Sequence, residues 1–212
     1  MSSGTRYYIL ANMKRALYIA LALLAVFAWR DWRTREIVHP PGVLVPEAPR
    51  QAMLDNGGVM EVDGYHLTRR ARYGIRARVL SREDYHWGAE SDLSPMDLAL
   101  GWGPMSDQAV LDRIEITQGG RWYFTRYELP APLPDGAIVR HSGNVHMIPA
   151  NAGVAAALKR IRKGDIVDAR GYLVDVDSDT GFRWRTSLRR DDTGGGSCEL
   201  MYLESLQIEE GG

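Results

Sequence analysis

The 212-residue chain holds a single cysteine, Cys198. One thiol excludes an internal disulfide framework and any zinc site built on cysteines. Charge of one sign is missing too, since 26 Lys and Arg face 27 Asp and Glu for a net of -1. That balance excludes a whole-molecule field able to gather nucleic acid or an acidic membrane surface. Histidine is scarce, and His39, His66, His86, His141 and His146 show no metal-ligand spacing, so no metal and no cofactor is expected. The glycine triplet 194–196 has no Lys-Ser or Lys-Thr after it, which excludes a phosphate-binding loop. Long apolar runs are absent with one exception. What remains, 45% hydrophobic and 25% charged, is the composition of a folded domain with extra segments.

The exception runs from Ala16 to Trp29 without a charge or a breaker. At about 14 residues it is short for a membrane span, which takes roughly 17 to 25. Trp29 and Trp32 suit a membrane interface, and Arg30 and Asp31 reach headgroups by snorkelling, so the expected anchor covers residues 16–36. A cleaved signal ending at Val26-Phe27-Ala28 and a buried soluble helix are the competing readings. Charged ends without a polar stripe between them favour the anchor over the buried helix. Arg6, Lys14 and Arg15 place residues 1–15 in the cytoplasm, although Arg30, Arg33 and Arg35 weaken that bias. Met13 is an alternative start.

Residues 37–64 read as a Pro/Gly-rich linker: Pro40, Pro41, Pro46 and Pro49 resist helix and ladder, and Asn56-Gly57-Gly58 marks a loop. A β-rich domain is expected over 65–209. Its first strand, near Tyr65 to Arg82, puts Tyr73, Ile75, Ala77 and Val79 on one face and arginines on a wet one. Solvation of Arg69 to Arg82 competes with a polyanion or lipid-headgroup contact. Ser94-Pro95 reads as a helix start before MDLAL, and Ser106-Asp107 as the cap of a second short helix. Gly119-Gly120 joins IEITQ to RWYFTRYEL as a hairpin.

The densest signals lie between His141 and Val176. A strand from Ala137 to Ile148 sets Ser142, Asn144 and His146 on one face. Asn151 caps a helix with Val154, Ala157, Leu158 and Ile161 on its apolar side, and Gly164 stops it. A long strand follows in which Gly171 marks a bulge or bend. Together these predict a mainly β fold with short helices (α+β), a small OB-like or related β-barrel behind an N-terminal membrane helix.

Candidate ligand-binding residues are Ser142, Asn144, His146, Trp102 and Asp107. The Ser-Asn-His face suits a small polar ligand or, with an orienting acid, nucleophilic chemistry. Trp102 either meets a ligand from its GWGPMSD loop or plugs the barrel. Asp192-Thr193-Gly194 matches an aspartic-protease tripeptide, but charged residues precede it and no second copy exists, so it is read as coincidence.

The segments GWGPMSD, HSGNVHMIP and KGDIVDARGYLV, with the run from TSLRRDDTG to CEL, resemble a family of uncharacterised single-pass membrane-anchored proteins of proteobacteria. The resemblance covers most of the chain from about Val38. It implies a bacterial origin and an anchored context, and no catalytic residue. The expectation is an inner-membrane protein with a periplasmic domain, serving as a binding or scaffold module for an envelope protein or a small polar ligand. A tethered hydrolase using Ser142 and His146 is the alternative from another class. An OB-like nucleic-acid binder is a third, for which Arg121, Trp122 and Tyr123 offer only a hint.

Overall fold

The computed structural model describes residues 3–189 and 198–209. The chain divides into two compact units, Met1–Arg35 and Glu36–Gly212. The first is the helix α1 (Ser3–Thr34), about 48 Å long at 1.5 Å per residue. Its stretch Asn12–Trp29 is long and apolar enough to cross a membrane. Leu17, Ile19, Leu24 and Phe27 are each more than half exposed, so no protein core accounts for that apolar surface.

The second unit is mainly β. In chain order it contains β1 (Arg50–Met53), β2 (Val59–Val62), β3 (Tyr65–Asp84), α2 (Ala89–Leu93), β4 (Met96–Gly101), α3 (Gln108–Leu111), β5 (Glu115–Gly119) and β6 (Trp122–Arg126). Then come α4 (Ala137–Arg140), β7 (Ser142–Pro149), α5 (Ala152–Leu158), β8 (Ile166–Ser178), β9 (Arg183–Trp184) and β10 (Glu199–Glu209). Strand pairing passes from β3 to β4, β7, β10, β8 and back to β3, which curls the sheet into a barrel-like form. Only the β7–β10 pair of this circuit is parallel. The hairpin β5–β6 forms a small sheet of its own.

Period-two alternation sends Tyr73, Ile75, Ala77 and Val79 of β3 inward, where they meet Leu98 and Leu100 of β4, Val145 and Met147 of β7, and Leu173 of β8. Val154 and Leu158 of α5 pack on the same core. Asn151 caps α5 by accepting from the Val154 N–H (3.0 Å). The outer faces are covered as well. Leu67, Ile148, Val174 and Leu200 lie beneath Phe182 and Trp184, while Leu80, Ala99 and Met105 lie beneath the hairpin side.

Four local expectations need correction. MDLAL is strand β4, not a helix: every residue from Met96 to Gly101 is buried, so the alternation that signals a strand is erased. The expected strand from Ala137 begins only at Ser142, after one turn of α4 that follows Gly136 (φ 71°). The bulge near Gly171 falls on the partner strand, where the register shifts between Leu203 and Ser205. A Cβ on Gly171 would stand 1.9 Å from the Tyr202 carbonyl oxygen, so the close approach demands glycine.

Residues 37–64 are not a free spacer. The Ile37 N–H donates to the Lys163 carbonyl (2.9 Å), and the amides of Leu44 and Val45 both donate to the buried Ser106 hydroxyl oxygen (3.1 and 3.0 Å). Val45 is fully buried, and β1 and β2 pair with β3. Prolines exclude ladder formation between residues 40 and 49 but leave these amides free to bond sideways.

Candidate functional site

Ser142, Asn144 and His146 do share one side of β7, the side turned away from the main core. They were expected at the surface and are instead 5%, 2% and 2% exposed. The β5–β6 hairpin and Trp184 cover them, and the hairpin bonds Ser142 and Asn144.

Asp97 is the centre of this layer. It lies directly across from His146 in the β4–β7 register and is fully buried. Its Oδ1 stands 2.9 Å from His146 Nδ1 and accepts from Arg121 Nη1 at 2.8 Å. The histidine contact is close but not aligned as a linear hydrogen bond, so the arginine bond is the directional one. Arg121 Nη2 donates to the Ser94 carbonyl (3.0 Å), and its guanidinium lies 3.8 Å above the Tyr85 ring. The His146 ring packs on Trp184 with centroids 4.7 Å apart.

The hairpin turn is fixed through its backbone. Arg121 adopts the left-handed conformation (φ 70°), next to Gly120 at φ 60°. Its N–H donates to the Tyr85 hydroxyl oxygen (3.0 Å), and its carbonyl accepts from Asn144 Nδ2 (3.0 Å). Gln118 Nε2 donates to Asn144 Oδ1 (2.8 Å), and the Tyr123 and Ser142 hydroxyls lie 2.8 Å apart. The Ser142 hydroxyl donates to the Ile138 carbonyl at 2.7 Å. Burial, aided by the Asp97 charge, pushes the Tyr85 phenol up to about 12. Burial also raises the Tyr123 phenol.

A His-Asp pair is the base of many hydrolases, but Ser142 is not within reach of this one. Four residues along a strand separate Ser142 from His146 by roughly 13 Å, and the two side chains bond to different partners. Among the described residues, no three His, Cys, Asp or Glu side chains converge as metal ligands. The arrangement cross-links two layers of protein.

The remaining candidates are also built in. Trp102 is 3% exposed and belongs to the main core. Asp107 caps α3 by accepting from the Ala109 N–H (2.9 Å) and also accepts from the Gly42 N–H (2.8 Å). Asp192, Thr193 and Gly194 fall outside the described residues.

Three of the six β3 arginines are paired with an acid at home, and Arg69 and Arg72 lie over the Tyr172 ring. Arg70 pairs with Asp175, Arg76 with Glu209 and Arg82 with Asp84. Arg78 is buried against Gln108 and the Ser106 carbonyl, and that burial lowers its pKa.

Sequence reasoning missed Asp97 and Arg121. The signal for Asp97 was present, because one carboxylate inside the apolar run MDLALG needs a buried partner. Nothing local named Arg121 as that partner. The exposed groups lie on the other side of the same hairpin: Trp122 and Phe124 are 38% and 57% exposed, with Tyr127 and Leu129 just beyond. No protein-family model matches this chain, and neither does any curated protein or solved structure.

Proposed function

We propose that the chain is a membrane-anchored envelope module that binds a partner protein through the outer side of the β5–β6 hairpin. The observation that carries this reading is the pairing of exposed Trp122 and Phe124 on a two-stranded sheet whose edges join no other strand among the described residues. Exposed aromatics beside open backbone suit strand addition and an aromatic anchor in a partner's pocket. The buried polar layer supports the same reading. It holds the hairpin on the sheet and presents no group to a substrate.

We read the five-strand circuit as OB-like, because one parallel pair and a helix between β7 and β8 accompany it. The resemblance to anchored proteobacterial proteins favours the inner membrane with the domain in the periplasm. Nucleic-acid binding is disfavoured by paired arginines and by Tyr123, which faces inward.

Affinity purification of the full chain from membranes tests the proposal, comparing wild type with Trp122→Ser plus Phe124→Ser. Loss of the co-purifying protein, with folding kept, is the expected result. The same partners from both would sink the hairpin surface. A hydrolytic activity abolished by Ser142→Ala would favour the enzyme reading instead.

A further inference from the structure

The turn after α5 carries Lys159, Arg160, Arg162 and Lys163 in five positions, followed by Asp165. Lys159, Arg160 and Lys163 are exposed. Asp165 is buried and accepts from the Arg162 N–H (2.7 Å), so its charge is turned inward. Arg82 donates to the carbonyls of Lys159 (3.2 Å) and Ile161 (2.6 Å) and fixes the turn, its own charge matched by Asp84. Glu36 meets Lys163 at 3.0 Å. Counting Glu36 and Asp165 against the four cations leaves the turn basic, and Lys159 and Arg160 stay without an acidic partner within the described residues.

The chain entering the domain is bonded to this same turn. Ile37 donates to the Lys163 carbonyl, and His39 Nε2 lies 2.7 Å from the Gly164 carbonyl. Gly164 (φ +94°) is required there, since a Cβ would stand 2.0 Å from the Ile37 oxygen. The apolar stretch ends at Trp29. Five of the eight steps to Ile37 are helical, to Thr34, so the path spans at most about 18 Å. Arg30, Arg33 and Arg35 lie in that interval against Asp31 and Glu36.

We propose that this basic turn binds the anionic phospholipid headgroups of the membrane that α1 enters. The inference rests on the anchor reading of α1. Cations held within a short tether of a bilayer are attracted by its surface charge over about a Debye length.

Reconstitution of the full chain in nanodiscs tests it, one set of phosphatidylcholine and one of equal phosphatidylcholine and phosphatidylglycerol. Amide exchange from Arg160 to Lys163 should slow by roughly tenfold in the anionic discs, and molar salt should cancel the difference. Lys159→Glu plus Arg160→Glu should exchange alike in both discs, with β3 and β8 protected as in wild type. Equal wild-type rates in the two discs overturn the inference while leaving the anchor intact. A chain that fails to enter either disc overturns both.

Discussion

At the scale of single residues, Asp97 decides the outer layer. It is the acidic partner of both His146 and Arg121, and it is fully buried. Asp97→Asn keeps the shape but leaves a nearly buried guanidinium with only the more exposed Glu90 at 3.7 Å as counter-charge, which costs about 3 kcal/mol. Denaturant unfolding should show that loss; a change below about 1 kcal/mol would mean water compensates Arg121. Tyr85 makes a second prediction. Its folded pKa of about 12 lies above its ordinary 10.0. The stabilisation from the neutral phenol is therefore complete below pH 10 and is lost as pH climbs through 12. An ultraviolet titration should show Tyr85→Phe without this late tyrosine. Period two was enough to put Ser142, Asn144 and His146 on one side of a strand. Their burial was not legible, because it depends on a hairpin whose partner atoms are mostly backbone and carry no residue signature.

Among the elements, the hairpin is held at its tip and open at its base. Arg121 and Asn144 secure the turn, whereas Glu115 and Arg126 at the open end make only an exposed 3.8 Å contact. Arg121→Ala should speed amide exchange in β5 and β6 while β3 and β8 keep their protection; uniform loss across the domain would mean that the hairpin is part of the global fold. Gly171→Ala should destabilise by more than roughly 2 kcal/mol in thermal unfolding, since Tyr202 leaves no room for a methyl group. The hairpin and α5 were legible because turn and cap chemistry is local. β4 was not. Ser94-Pro95 imitates a helix start, and burial on both faces removes the alternation that would have overruled it.

For the whole molecule, the apolar span of α1 predicts membrane partition. Wild type should stay in the membrane pellet after alkaline carbonate extraction, and Leu21→Arg plus Leu24→Arg should release it. Release of the unaltered chain would assign the span another role. The linker expectation failed at this scale, since proline density reports what a segment cannot pair with and says nothing of what it lies against. From Ile37 through His39 and Gly42 to Val45, successive amides are bonded to Lys163, Gln108, Asp107 and Ser106. Tension applied ahead of Ile37 therefore meets these bonds one after another, like the teeth of a zip. The first of them passes load through the Lys163–Asp165 turn to Val79 of β3, which bonds both Gly164 and Asp165, so the strap is loaded before β1 is.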